Sequence, residues 1–249
     1  MRRSLLAALL LCVASGVTTR AAEQSTLAPV TANERTALFR SIDVGATRSF
    51  ALLEELVNQN SGTFNVAGVT QVGERLQREF VELGFSTRWV KMDAVGRANH
   101  LVAERRGTQG KRLLLIGHMD TVFEPFSAFK TLKREGDRAA GPGVHDMKGG
   151  LVVMIEALRA LHAMGALEDR SITVFITSDE EYPGDPASIS RAEFIEAGRR
   201  ADAALCFESG VTIDGKDYVS TARRGATDWR LEVEGTAAHS SGVFGPSVG

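Results

Sequence analysis

The run Leu113-Leu114-Leu115-Ile116-Gly117-His118-Met119-Asp120 decides the fold. Four aliphatic residues in succession, with no polar alternation, suit a strand covered on both faces, and the reading places a strand over Lys111 to Ile116. A His and an Asp stand where that strand would end. Two further apolar runs have the same form: Ile172 to Thr177 leads into Ser178-Asp179-Glu180-Glu181, and Ala203 to Phe207 leads into Glu208. Around these runs, helices are expected over Asn33 to Val57, through Val69, Val72, Leu76, Phe80 and Leu83, over Leu151 to Met164, and over Arg191 to Gly198. Gly84 and Gly165 are placed to stop two of them. Shorter strands are expected over Ser86 to Met92 and His100 to Glu104. Buried strands alternating with helices predict an α/β sheet with helices on both faces.

In open α/β sheets, sites gather beyond the carboxyl ends of the strands. His118, Asp120, Glu180, Glu181 and Glu208 all follow such ends. Gly141-Pro142-Gly143-Val144-His145-Asp146-Met147-Lys148-Gly149-Gly150 leads into the third helix. Neutral imidazole is a good zinc ligand, and its second nitrogen usually donates to a carboxylate such as Asp120 would supply. Alone, this pair reads equally well as a solvated loop. Asp146 alone reads as a helix cap, but the surrounding glycines point to an unusual backbone. His145 and Lys148 are expected to be peripheral, with Lys148 structural or solvated. Three acids in a row, Asp179-Glu180-Glu181, repel one another unless a cation or water relieves them. Beside a metal, two neighbouring glutamates can divide the labour, one as ligand and one as base. Together these groups supply ligands for two divalent ions, with a carboxylate bridging them.

The ordered set Gly117-His118-Met119-Asp120-Thr121-Val122, Gly141-Pro142-Gly143 through Asp146-Met147-Lys148-Gly149-Gly150, and Thr177-Ser178-Asp179-Glu180-Glu181 resembles the dizinc family of glutamate carboxypeptidases, aminoacylases, acetylornithine deacetylase and succinyl-diaminopimelate desuccinylase. Phe207-Glu208 and Ala238-His239-Ser240 extend the resemblance. It implies a zinc-exopeptidase-like mixed sheet flanked by helices, interrupted by an inserted α+β lid that carries the dimer contact. It implies two Zn2+ (Co2+ or Mn2+ with similar ligands), His118 and Glu208 on one, Glu181 on the other, and Asp146 bridging. Asp120 would orient His118, Glu180 would be the general base, and His239 would reach the partner's site as an oxyanion donor. The peptide bond after Asp146 is expected to be cis. The implied substrate is a small peptide losing its C-terminal amino acid, or an N-acyl amino acid. A non-catalytic module of the same fold and a lidless zinc aminopeptidase are the competing readings. Intact expected ligands oppose the first, and an alternating strand followed by His239 opposes the second. The family's last zinc-ligating His lies beyond the lid, and none follows His239 before Gly249. The chain is therefore read as the front part of such a protein, expected to hold one metal well and not to turn over alone. After Glu181, Tyr182-Pro183-Gly184-Asp185-Pro186 departs from the Gly-Ser common in carboxypeptidase-like members, which puts that loop's substrate contacts in doubt.

Composition agrees with a folded domain. The chain has 249 residues, 43% hydrophobic and 24% charged, with formal net charge −2 and no basic block, which argues against nucleic acid as a partner. Residues 1–22 read as a signal peptide: Arg2 and Arg3, an apolar run from Leu5 to Val13, then small residues to Ala21-Ala22. That run is too short for a membrane helix of roughly 20 residues, so export to the periplasm or beyond is expected, with no membrane contact after cleavage. Residues 23–222 are assigned to the catalytic domain and 223–249 to the start of the lid. The lid is expected to carry half-exposed strands near Tyr218 to Thr221 and Thr227 to Val233. Cys206, alone once residues 1–22 are removed, is expected to be a buried small hydrophobe without a disulfide.

Overall fold

The computed structural model describes residues 30–222, 225, 229–232 and 234. Helix α1 (Ala32–Asn58) opens on a capping box, in which the Thr31 hydroxyl accepts from Glu34 N and the Glu34 carboxylate accepts from Thr31 N. Helix α2 (Val66–Glu82) buries Val69, Val72, Leu76 and Phe80 along one stripe. Gly84, at φ +77°, turns the chain out of it. Strands β1 (Ser86–Val90), β2 (His100–Arg105) and β3 (Gln109–His118) follow, then a small hairpin of β4 (Lys133–Glu135) and β5 (Arg138–Ala140). Helix α3 (Gly149–Ala163), β6 (Arg170–Thr177), α4 (Ala187–Ser190), α5 (Ala192–Arg200) and β7 (Ala203–Cys206) complete the layer, and an exposed hairpin of β8 (Val211–Ile213) and β9 (Lys216–Tyr218) comes last.

The main sheet has the order β1-β2-β6-β3-β7. Strand β3 is parallel to β6 and to β7, whereas β2 runs antiparallel to β6 and to β1, so the sheet is mixed, as expected. Its side chains alternate between two cores. Leu101, Ala103, Leu115, Val174 and Ile176 pack against α1, α2 and α3, while Val102, Leu114 and Phe175 pack against Ala197 and Phe194 of α5. Helices therefore cover both faces. The register pairs His118 with Thr177 and Ile116 with Cys206. The three parallel strands thus deliver the residues that follow them to one edge.

Three expectations are corrected. Cys206 is exposed rather than buried: β7 ends the described sheet, pairs only with β3, and carries Leu205 at 52% exposure beside the cysteine. The strand expected from Tyr218 onward instead ends there. It pairs with β8 around Asp214-Gly215, where both residues take positive φ. Of the strand expected over Thr227 to Val233, residues 229–232 are described and form no regular element, and the rest lies outside the described residues, as does His239. The proposed boundary near Ala222 falls at the edge of the described residues, with Arg223 and Arg224 outside them.

Candidate metal centre

His118 is the last residue of β3 and is buried. Its Nδ1 faces Asp120, 3.1 Å from the backbone carbonyl and 3.3 Å from Oδ1. Donation on that side leaves Nε2 as the ligand atom. Nε2 lies 2.8 Å from Asp146 Oδ1 and 3.0 Å from Glu208 Oε1. One nitrogen and two carboxylate oxygens, all within 4.8 Å of one another, thus form a set that could hold a metal ion. The donor set, imidazole with carboxylates, suits zinc, cobalt or manganese. Burial alone would discharge the imidazole, but hydrogen bonds to Asp120 and Glu208 outweigh it and push His118 up to about 11. A proton held between carboxylates occupies the place a cation would take.

Asp120 does more than orient the imidazole. Fully buried, it accepts from Thr63 Oγ1 (2.7 Å), Glu180 N (3.0 Å) and Glu181 N (3.1 Å). Burial raises its pKa, but His118 and Thr63 lower it more, so the carboxyl stays below the usual range and ionised. One carboxylate therefore fixes the histidine and both glutamates of the next loop. Glu180 lines a cleft of about 530 Å³ together with His118, Glu208, Arg191 and Phe194. Partial loss of hydration and the carboxylates of Glu208, Asp120 and Asp146 raise its pKa against the pull of His118. Glu181 is pushed up to about 7, first by burial and then by Asp146. Its carboxyl lies outside the three-atom set but close enough to Asp146 to feel its charge.

The approach to Asp146 depends on glycine. Gly143 takes φ +73°, and a Cβ on Gly150 would lie 1.9 Å from the Phe207 carbonyl oxygen, so the start of α3 packs directly on the chain leading to Glu208. Asp146 does not cap α3; it sits at φ −125°, ψ 96° in the irregular turn before it. The Asp146–Met147 peptide bond is cis. Lys148 is buried and structural rather than solvated. Its Nζ donates to the Leu56 and Gln59 carbonyls at the end of α1, at 2.8 and 2.9 Å, and burial pushes its pKa down to about 7. His145 is exposed and outside the ligand set. Asp179, grouped in sequence with the two glutamates, points away: it is buried against Arg191 and Gly184 N. Thr63 carried no sequence signal, because a lone threonine in a loop says nothing about the acid it will meet.

With this geometry in place, the matches to known proteins are informative. The sequence profile described as peptidase family M20/M25/M40 matches residues 114–240. The chain belongs to that family. It is 33% identical over 199 residues to carboxypeptidase G2 of Pseudomonas sp. (strain RS-16), covering 79% of this chain and 46% of that protein. It is also 33% identical over 207 residues to succinyl-diaminopimelate desuccinylase of Cupriavidus pinatubonensis, covering 78% and 52%. The chain thus spans about half the length of these curated relatives. Among solved structures, human carnosine dipeptidase 1 matches with a TM-score of 0.59 at 18% identity, over 69% of this chain and 40% of that one. An M20 family metallo-carboxypeptidase from Sulfolobus solfataricus gives a TM-score of 0.54 at 21% identity, over 66% and 38%. These two share the fold.

Proposed function

We propose that the protein is an exported dizinc amidohydrolase that releases a C-terminal amino acid, in the manner of a glutamate carboxypeptidase. The observation that carries this reading is the convergence of His118, Asp146 and Glu208 on one point, with Glu180 and Glu181 pinned beside them by Asp120. His118 and Glu208 would hold one ion and Glu181 would help to hold a second, with Asp146 available to both. Bound divalent ions would polarise the scissile carbonyl and acidify water. Glu180, with its raised pKa, takes the proton of the attacking water and delivers it to the leaving amine. Asp120 keeps His118 in the tautomer that presents Nε2. His239, through a lid-mediated dimer, supplies a donor to the oxyanion.

The likeness to carboxypeptidase G2 supports peptide cleavage, and the signal-like residues 1–22 support action outside the cytoplasm. No helix among the described residues is long and apolar enough to cross a membrane. The second reading, N-acyl-amino-acid deacylation at the same site, is favoured by the likeness to succinyl-diaminopimelate desuccinylase. Assays of C-terminal glutamyl peptides against N-acyl amino acids separate the two. For either substrate, Glu180→Gln in the full-length protein should lower kcat by about 10³-fold at unchanged metal content. Wild-type turnover in that variant would remove Glu180 from the mechanism.

A further inference from the structure

His100 is buried on β2, and the metal centre makes no use of it. Its ring is wired to both ends of the segment that carries Glu180 and Glu181. Nε2 lies 3.0 Å from the Ser190 carbonyl oxygen, which can only accept. Nδ1 lies 3.1 Å from Ser178 N, which can only donate. These two backbone groups fix one neutral tautomer, protonated on Nε2 and bare on Nδ1. The Ser178 hydroxyl lies 3.0 Å from Nδ1 and donates to the Ala98 carbonyl, two residues before His100. Inside the loop, Asp179 accepts from Arg191 Nη1 and from Gly184 N, each at 2.7 Å, and the Ser190 hydroxyl donates to the Gly184 carbonyl at 2.7 Å.

We propose that His100 is a positioning residue whose neutral imidazole joins Ser178 to Ser190, closes the loop between them, and so holds Glu180 and Glu181 against the metal ligands. This rests on the reading of Glu180 as base and Glu181 as ligand. The charged groups facing the ring are Asp179, with Oδ1 4.0 Å from Nε2, then Arg191 and Asp120, and the Phe175 ring packs at 5.7 Å between centroids. Burial, with Arg191 adding to it, keeps the imidazole neutral against the pull of the Ser190 carbonyl, Asp179 and Asp120. A proton on Nδ1 would confront the Ser178 N–H and open one end of the loop, so the clamp is a device for neutral pH.

The test compares His100→Leu, which removes both bonds, with His100→Asn, whose amide oxygen can replace Nδ1 as acceptor and does not titrate. Hydrogen exchange of residues 178–184 at pH 7.5 should be about tenfold faster in the Leu variant, with β2 and β6 still protected as the folding control. In the full-length protein, kcat should fall about 10²-fold in His100→Leu with KM within about threefold, and His100→Asn, which restores the bond to Ser178 but not the one to Ser190, should recover part of that loss. The Asn variant should also hold its relative activity to lower pH than the wild type. Unchanged exchange in His100→Leu would overturn the clamp. Faster exchange with unchanged kcat, or equal losses in the Leu and Asn variants, would overturn the positioning role. If the wild type hydrolysed no amide, the proposed function would fail, and the exchange comparison would still decide the clamp.

Discussion

Asp120 and Glu79 are both buried acids, and they do opposite work. Asp120 is held by Thr63, His118 and the amides of Glu180 and Glu181, all at the carboxyl edge of the sheet. Glu79, on α2, is held by Arg75 on its own helix and Arg159 on α3, and Arg75 also reaches Glu55 on α1. The first acid joins functional groups to one another, whereas the second joins three helices. Burial is nearly equal, so burial does not separate a site residue from a structural one. The partners' positions in the fold do.

Mutation should break that comparison in opposite directions. Glu79→Ala takes one carboxylate from Arg75 and Arg159, which keep Glu55 and Glu156, and should cost about 1–3 kcal/mol of stability by chemical denaturation, leaving metal affinity unmoved. Asp120→Asn should do the reverse in kind, weakening zinc binding about 10- to 100-fold in competition with a chelator. Equal metal defects in the two variants would erase the distinction. Lys148→Met sharpens it from a third position. Two carbonyls at the end of α1 lose their donor, and stability should drop by about 1–3 kcal/mol. The pH dependence gives a subtler contrast. In the metal-free protein His118 is raised well above its unfolded value of about 6.5, so its contribution is present below that value and fades as pH rises towards about 11. Metal-free protein should therefore lose stability on alkaline titration over that window, and saturating zinc should remove the trend.

The apolar runs ending at Ile116, Thr177 and Phe207 made the parallel strands legible, and with them the edge where His118, Glu180, Glu181 and Glu208 meet. Periodicity made α2 plain because Val69, Val72, Leu76 and Phe80 recur every three or four residues. Pairing was not legible: nothing local in His100 to Arg105 says that β2 lies antiparallel to β6, since that depends on contacts more than 60 residues away. The roles of single polar residues were hidden for the same reason. Asp179 looks identical to Glu180 and Glu181 as a charge in a row, yet Arg191, twelve residues on, draws it into the interior. Lys148 reads as either structural or solvated until α1 is seen to end above it. Cys206 reads as a core residue only if its strand has neighbours on both sides.

The measurement nearest the central claim is a zinc titration by calorimetry near pH 7.5 in two buffers of different ionisation enthalpy, on the wild type and His118→Ala. The ion should displace the proton that His118 shares with Asp146 and Glu208. Binding should therefore release about one proton per tight site, and His118→Ala should lose both that site and the release. Zinc binding of equal strength and proton count in the two proteins would contradict the assignment of His118, Asp146 and Glu208 as a metal centre.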